Sequence, residues 1–359
     1  MKILGKEDHI LDLVNQPAFT VHGGKIRHVN QAARSLLIKE NTPILELIPH
    51  NKDTYVQFTG GCLYMTLRIF NIDCGASVTK SGKYHIFVLD DLNGSDQLQA
   101  LALTGNMLKM PLANMTALLE THYTPETLED PQASRNAALL HKNAAQLYRI
   151  ITNMCDAADW LKNEFEKELC DVTVLFTEIM ECCKDALAHA NIKLLYTCPE
   201  AHLISMVDTE KFTRSLYNLV SNAVRYASGK PQVKAELTYD REFFYVSIQN
   251  PCIQYDQEQF TTAFTHYLRR PSLDNGRNGV GLGMYLIRSA ALAHDGTVLI
   301  NQPDPCTMCV TMSMKIQDPD NITILRSPIR RLSNYAGGKN IALIEFSDFL
   351  PETCYKKES

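Results

Sequence analysis

The chain has 359 residues, of which 45% are hydrophobic and 21% charged, and its formal net charge is −5. This composition predicts globular domains with buried cores and excludes a fibrous or disordered chain. The small negative charge offers no field for nucleic-acid phosphates or for an anionic membrane, so we expect neither as a partner. No apolar run approaches the roughly 18 residues of a bilayer span. The eleven cysteines form no regular framework, which predicts reduced thiols and a cytoplasmic protein.

Short strand-like runs separated by turns fill residues 1–93. Gly23 and Gly24 lie between two apolar stretches and predict a hairpin, and further strands are expected in "CLYMTLRIF", "GASVT" and "YHIFVLDD". Asn30 is expected to start a helix at "QAARSLL". The pattern predicts a small antiparallel sheet with a few helices, and its opening resembles a PAS sensory domain.

Two apolar series follow in residues 95–168, each with spacing that alternates between three and four residues. This spacing predicts two helices with narrow apolar stripes, joined as an antiparallel hairpin by the loop "THYTPETLEDPQAS". One hairpin cannot bury both stripes, so we expect a homodimeric four-helix bundle; the alternative is that both helices pack on a sheet of their own domain. The series are Leu98, Leu101, Gly105, Leu108, Leu112, Met115 and Leu119, and then Ala137, Leu140, Ala144, Leu147, Ile151, Met154, Ala158, Leu161 and Phe165.

Helical and strand-like segments alternate in residues 170–316 and predict an α/β sandwich. The helices are expected in "VLFTEIMECCKDALAHA", "DTEKFTRSLYNLVSNAVRYA" and "MYLIRSAALAHD", and the strands in "IKLLYTC", "PQVKAELTYD", "FFYVSIQN" and near 296–316. Cys306 and Cys309 form a CxxC, which without a second pair or histidines favours a buried strand over a zinc site. Residues 317–359 follow as a C-terminal extension, an appendage without an assigned role.

Two asparagines mark a candidate metal site in "NLVSNAVRY". Asn218 and Asn222 are four residues apart on a predicted helix, so their carboxamides point the same way, with Arg225 and Tyr226 one turn further along. Amide oxygens suit Mg²⁺, a guanidinium suits phosphate oxygens, and a tyrosine can lie against a base or ribose. Taken alone, the pattern is more typical of an exposed polar helix face than of a metal site.

A glycine-rich stretch strengthens the case for a nucleotide site. Gly279, Gly281 and Gly283 alternate immediately before a predicted helix in "NGVGLGMYLI". Backbone without side chains can approach a polyphosphate and deliver it to the N-terminus of a helix. The asparagine helix and the glycines occur in the order that such a site requires.

These motifs resemble the GHKL ATPase superfamily and, within it, the sensor histidine kinases. "NLVSNAVRY" looks like the N box, "NGVGLGMYLI" like the second glycine box, and "AFTHYLRR", with Arg269, like the box between them. The resemblance implies an α+β multidomain protein: a PAS-like α/β sensor (1–93), a dimerisation hairpin (95–168) and a GHKL α/β sandwich (170–316). It implies ATP and Mg²⁺ as cofactors, with Mg²⁺ on Asn222 helped by Asn218. It also implies a homodimer whose partner in a two-component system is a response regulator or another kinase.

The first glycine box departs from the family pattern. Asn250 stands where the family has the aspartate that accepts from the adenine amino group, and Cys252 and Gln254 stand for two glycines. The Asn250 carbonyl can still accept a hydrogen bond, so adenine recognition is weakened in charge. Two side chains in place of glycines hinder close approach of the backbone.

The phosphoacceptor box departs further. In "NMLKMPL", Asn106 replaces the histidine, Met107 its acidic neighbour and Met110 the residue that orients water. A carboxamide is no nucleophile and a thioether is no general base, so we predict that the site is catalytically dead. His122 and His141 lack the acid–proline context and are interpreted as surface or loop histidines.

Three functions remain open from the sequence. The first is a pseudokinase that binds Mg-ATP weakly and signals through the conformation of the dimer. The second is a GHKL-type kinase that phosphorylates a separate partner protein. The third is a scaffold without nucleotide.

Overall fold

The computed structural model describes residues 11, 15–90, 94–122, 129–160, 165–229, 232–254, 282–317 and 340–356. They form an N-terminal unit, a helical hairpin, a C-terminal α/β unit and a short C-terminal segment.

The N-terminal unit is an antiparallel sheet with strand order β2-β1-β5-β4-β3. Gly23 and Gly24 both have positive φ, 62° and 72°, and turn the chain between β1 and β2, which confirms the predicted hairpin. Asn30 caps the first helix, since its Oδ1 accepts from the amides of Ala33 and Ala18 at 2.9 and 3.0 Å. The elements are β1 (Ala18–His22), β2 (Lys25–Val29), α1 (Gln31–Ser35), α2 (Ile44–Leu47), α3 (Lys52–Val56), β3 (Cys62–Ile69), β4 (Ile72–Ser81) and β5 (Tyr84–Leu89).

Two long helices form the predicted hairpin: α4 (Gly94–His122), which runs through Pro111, and α5 (Pro131–Asp159). Asp130 caps α5, since its carboxylate accepts from the amides of two first-turn residues. The second apolar series was predicted to reach Phe165, but α5 ends at Asp159. Phe165 instead contacts the C-terminal α/β unit, where Lys211 Nζ lies over its ring at 4.0 Å.

The hairpin buries part of its apolar stripes internally. Leu112 is 5% exposed and packs with Ala144, Ile151 and Cys155 of α5. Leu112 therefore fills the hairpin itself and is not a free seam residue. Other apolar residues of both helices remain exposed, namely Leu103, Met107, Leu108, Met110, Met115, Leu118, Leu139, Leu140 and Leu147.

The C-terminal α/β unit packs helices against strands ordered β11-β12-β10-β9-β7, with β7 and β9 parallel. Its core contains Phe176, Phe212 and Phe244, each fully buried. The predicted helices and strands are confirmed, whereas the small sheet of β6 and β8 was missed. The elements are β6 (Glu168–Asp171), α6 (Val172–Ala188), β7 (Lys193–Thr197), β8 (Ile204–Val207), α7 (Thr209–Tyr226), β9 (Gln232–Tyr239), β10 (Phe243–Pro251), α8 (Leu282–Ala293), β11 (Val298–Asp304) and β12 (Thr307–Lys315). Cys309 is buried within β12, as the strand interpretation of the CxxC predicted, but Cys306 is exposed in the turn before β12, where that interpretation is wrong.

The sheet of the N-terminal unit is continuous with the sheet of the C-terminal α/β unit. Strand β3 pairs antiparallel with β11, with Tyr64 opposite Val298. Gly61 precedes β3 at φ 88°, and a Cβ there would lie 2.2 Å from the carbonyl oxygen of Ile300, so the junction requires glycine. The sequence predicted two separate units, and this pairing between them was not predicted.

Side chains reinforce the same junction. Arg288 of α8 lies over the Tyr64 ring at 4.4 Å and forms an ion pair with Asp90 at 3.7 Å. The Tyr64 hydroxyl donates to the Asp90 carboxylate. The N-terminal unit thus contacts α8 directly as well as through the sheet.

The C-terminal segment, residues 340–356, comprises α9 (Ile341–Glu345) and a 3₁₀ helix (Glu352–Tyr355). It packs against α5, α6 and α7, and Phe346 and Leu350 are fully buried. The expectation of an appendage is wrong for this part of the extension, because its apolar residues enter the core of the α/β unit.

Among the described helices, none combines the length and the apolar character that a membrane crossing needs.

Candidate functional site

Helix α7 holds both candidate asparagines. Asp208 caps its start by accepting from the amide of Lys211 at 3.0 Å. Asn218 is buried, and its Nδ2 donates to the carbonyl of Arg214 at 2.9 Å. Asn222 is half-buried one turn later. Asn222 is therefore the less buried of the two candidate metal ligands.

The first turn of α8 meets Asn218. A Cβ on Gly283 would lie 2.6 Å from Asn218 Oδ1, so the two helices approach closely only because residue 283 is glycine. The structure thus brings together one residue from each predicted motif. Gly279, Gly281 and Arg269 lie outside the described residues.

Arg225 and Tyr226 end the same helix in different surroundings. The Arg225 side chain is 11% exposed and donates from Nη2 to Asp348 Oδ2 at 2.5 Å. Its guanidinium also lies over the Phe349 ring at 5.6 Å. Tyr226 is 57% exposed, which leaves its ring available to a ligand.

The end of β10 carries the altered glycine box. Asn250 is 4% exposed and its Nδ2 donates to the carbonyl of Pro251 at 3.1 Å. Cys252 donates its amide to the Cys306 carbonyl at 2.8 Å and its Sγ accepts from Gln302 at 2.9 Å. Burial raises the pKa of the Cys252 thiol, against the lowering effect of Gln302. Cys252 is therefore a neutral, packed side chain where a glycine would leave space.

The stretch "NMLKMPL", predicted to be a degenerate acceptor box, lies on the exposed side of α4. Met107 is 77% exposed, and Asn106 Oδ1 accepts from the Cys155 thiol at 3.3 Å. Burial raises the pKa of that thiol, which keeps it protonated as a donor. His122 is the last residue of α4 and His141 lies in α5, so both are helical and not loop residues.

Two acidic residues of the C-terminal segment were missed by the sequence analysis. Asp348 contacts Arg225 as well as Arg149 of α5, and Glu345 contacts Arg214 of α7. The available signal was the run "IALIEFSDFL", in which apolar residues surround two acids.

The candidate metal ligands at this site are amide oxygens. Within the described ranges, no group of three or more His, Cys, Asp or Glu side chains is placed to hold a metal ion. Mg²⁺ commonly keeps several waters and takes further ligands from substrate phosphates. The Asn222 carboxamide fits that pattern as a single protein ligand.

Comparison with known proteins agrees with this geometry. Residues 207–318 match the family described as "Histidine kinase-, DNA gyrase B-, and HSP90-like ATPase". The adaptive-response sensory kinase SasA of Crocosphaera subtropica is 23% identical over 308 residues, which are 81% of this chain and 75% of that protein. Sensor histidine kinase YvrG of Bacillus subtilis is 23% identical over 160 residues, 44% of this chain and 28% of that protein. Sensor histidine kinase WalK of Bacillus subtilis is 20% identical over 211 residues, 56% of this chain and 34% of that protein.

The match thus spans about a third or less of YvrG and WalK. Among solved structures, full-length ShkA in complex with AMPPNP aligns with a TM-score of 0.48 and 15% identity, covering 61% of this chain and 46% of that one. Histidine kinase ThkA in complex with the response regulator protein TrrA aligns with a TM-score of 0.41 and 13% identity, covering 85% and 96%.

Proposed function

We propose that this chain, which belongs to the sensor histidine kinase family and carries its GHKL-type ATPase domain, is a pseudokinase that binds Mg-ATP weakly and signals through the conformation of a homodimer. The observation that carries the proposal is the chemistry of Asn106 and Met107 on the exposed side of α4. A carboxamide has no useful nucleophilicity, and a thioether cannot take a proton from a neighbour. Neither residue can support phosphorylation of this helix.

The nucleotide half of the proposal rests on α7 and α8. Asn222 supplies an accessible amide oxygen for Mg²⁺, and Gly283 opens α8 with its first turn against Asn218. Such a helix start is suited to phosphate groups. We propose weak affinity because Asn250 lacks the charge of an aspartate and Cys252 occupies space that a glycine would leave.

The homodimer is supported by the apolar residues that the hairpin leaves exposed. Met115 and Leu147 are 58% and 48% exposed, and both belong to the predicted stripes. A second hairpin would cover them in a four-helix bundle. The N-terminal unit supports a PAS-like sensor through its strand pair and the Asn30-capped helix. A response regulator remains a proposed partner.

Calorimetry on the full chain tests the nucleotide half. Mg-ATP should bind with a micromolar to millimolar Kd, roughly −8 to −4 kcal/mol. Asn222→Ala should abolish the magnesium dependence of binding, because it removes the metal ligand. Asn250→Asp should tighten binding by about 1 kcal/mol, because a charged acceptor is restored. The exposed Asn143→Ala on α5 is the matched control and should bind as wild type does.

The same titration separates the alternatives. Absence of binding heat in both wild type and Asn250→Asp would favour the scaffold without nucleotide. Binding combined with phosphate transfer only to an added protein would favour the kinase that acts on a separate partner.

Incubation with labelled ATP tests the loss of autophosphorylation. We expect no acid-labile phosphate on residues 95–125 in wild type. Asn106→His alone should remain unlabelled, because Met107 still cannot act as a base. Acid-labile label on α4 of the wild type would refute the pseudokinase.

A further inference from the structure

The C-terminal segment is bound like a peptide in a groove between α5, α6 and α7. Its apolar side chains Ile341, Ile344, Phe346 and Leu350 are at most 5% exposed. The Phe346 ring packs against Tyr217 of α7, with ring centroids 5.9 Å apart. This burial anchors the segment to the domain that carries the candidate nucleotide site.

Glu345 forms the first of two charged anchors. It is 1% exposed and pairs with Arg214 of α7, which also donates to Asp156 of α5 at 2.9 Å. Arg149 of α5 donates to the main-chain carbonyl of Glu345 at 3.2 Å. A buried arginine needs such partners, because an uncompensated buried charge is strongly unfavourable. The first anchor therefore fixes the position of the segment along the groove.

Asp348 forms the second anchor and contacts Arg225, a candidate site residue of α7. One of its oxygens accepts from Arg149 and from Arg225, both at 2.5 Å. Burial tends to raise the pKa of Asp348, but the two guanidiniums outweigh burial and lower it. A charged carboxylate thus occupies Arg225, the residue for which the sequence predicts contact with phosphate oxygens. A carboxylate and a phosphate are both anions that suit the same guanidinium geometry.

We propose that the groove between α5, α6 and α7 is a binding site for this chain's own C-terminal segment, and that Asp348 competes with nucleotide phosphates for Arg225. The segment is then an internal inhibitor of nucleotide binding. The inference rests on the proposed binding of Mg-ATP. Because linkage is reciprocal, nucleotide must weaken the attachment of the segment by the factor with which the segment weakens nucleotide binding.

Three full-length variants test the competition. Asp348→Asn removes the charge with little change of shape. Lys142→Met removes a hydrogen bond that attaches the segment to α5 without involving Arg225. In this bond Lys142 Nζ donates to the Leu350 carbonyl at 2.6 Å. The matched control is Glu352→Gln, whose carboxylate pairs with Arg135 at the surface at 3.4 Å and reaches neither Arg149 nor Arg225.

Calorimetry with Mg²⁺ and a non-hydrolysable ATP analogue should give about tenfold tighter binding for Asp348→Asn, equivalent to about 1.4 kcal/mol. Lys142→Met should tighten binding about threefold, because it loosens the segment without touching Arg225, and Glu352→Gln should match wild type. In wild type, hydrogen exchange of residues 340–356 should accelerate when the analogue is added.

The possible outcomes separate this inference from the proposed function. Equal affinity in all four proteins would overturn the competition and leave nucleotide binding intact. No binding in any of them would overturn Mg-ATP binding, and the competition with it. If Asp348→Asn does not fold, Lys142→Met and the exchange measurement decide the question alone.

Discussion

His294 joins the end of α8 to the start of α7, and its replacement should change how stability responds to pH. Its Nε2 accepts from the Asp208 amide at 3.1 Å and its Nδ1 donates to the Ala290 carbonyl at 2.8 Å. The ring is fully buried. His294→Gln keeps a polar side chain of similar reach while removing the titrating ring.

The expected size of the effect follows from the pKa of His294. Burial lowers this pKa from 6.5 to about 4, with a smaller lowering from Lys167 and opposing effects of Ala290, Asp208 and Asp295. His294 is therefore protonated near pH 6.5 in the unfolded chain but only near pH 4 in the folded chain. The contribution of His294 to the free energy of unfolding is therefore fully present above pH 6.5 and is lost as the pH falls toward 4. At roughly 1.4 kcal/mol for each pKa unit, the loss reaches about 2.5 kcal/mol by pH 4.5.

Trp160 provides the assay, because it is the single tryptophan and lies 5% exposed in the core of the α/β unit. Urea unfolding followed by its fluorescence is compared at pH 7.5 and 4.5 for wild type and His294→Gln. With a slope of about 2 kcal/mol per molar urea, the midpoint of wild type should fall by about 1 M more than that of the variant. The exposed His189→Gln should behave as wild type does.

Only the difference between the two pH values matters, because lost packing in His294→Gln acts equally at both. If wild type and His294→Gln lose the same free energy of unfolding on acidification, His294 is not held neutral in the folded protein. The reasoning from its burial and its bond to Asp208 would then be refuted.

Three further changes probe the site, the hairpin and the junction of the sheets. Gly283→Ala would place a Cβ 2.6 Å from Asn218 Oδ1, so thermal melts should show a loss of about 1–3 kcal/mol and calorimetry should show weaker nucleotide binding. Leu147→Glu, at a position 48% exposed, should dissociate the homodimer, and an unchanged mass in sedimentation would count against the bundle. Arg288→Met removes the cation over Tyr64 and should accelerate hydrogen exchange in β3 and β11; unaltered exchange would mean that backbone pairing alone holds the junction.

Local signals were sufficient for most of the fold. Gly23 and Gly24 at positive φ, the Asn30 cap and the three-and-four spacing of the hairpin all act within a few residues. Helix ends were less predictable. Phe165 fits the apolar spacing of α5 but packs against Lys211 outside that helix. Spacing alone does not show whether an apolar residue belongs to the helix or to the segment that follows it.

Non-local contacts account for what the sequence did not reveal. The pairing of β3 with β11 joins residues more than 200 positions apart, and the sequence of an edge strand does not indicate which strand it pairs with. The buried ion pairs of Glu345 and Asp348 were not predicted, because their arginine partners lie far away in the sequence, on α5 and α7. The candidate site was predictable as a pair of motifs, but the contact of Gly283 with Asn218 was visible only in the fold.

The two helices of the candidate site are each held by an element outside the α/β unit. Arg288 of α8 is held by Tyr64 of the N-terminal unit, and Arg225 of α7 by Asp348 of the C-terminal segment. Arg288 lies five residues from Gly283, about 7.5 Å along a rigid helix, so a displacement of β3 would move the first turn of α8. Gly283 lies too close to Asn218 for the first turn of α8 to move without displacing Asn218, because packed interiors rearrange and do not compress. The N-terminal unit and the C-terminal segment therefore each contact one of the two helices of the candidate site, α8 and α7 respectively.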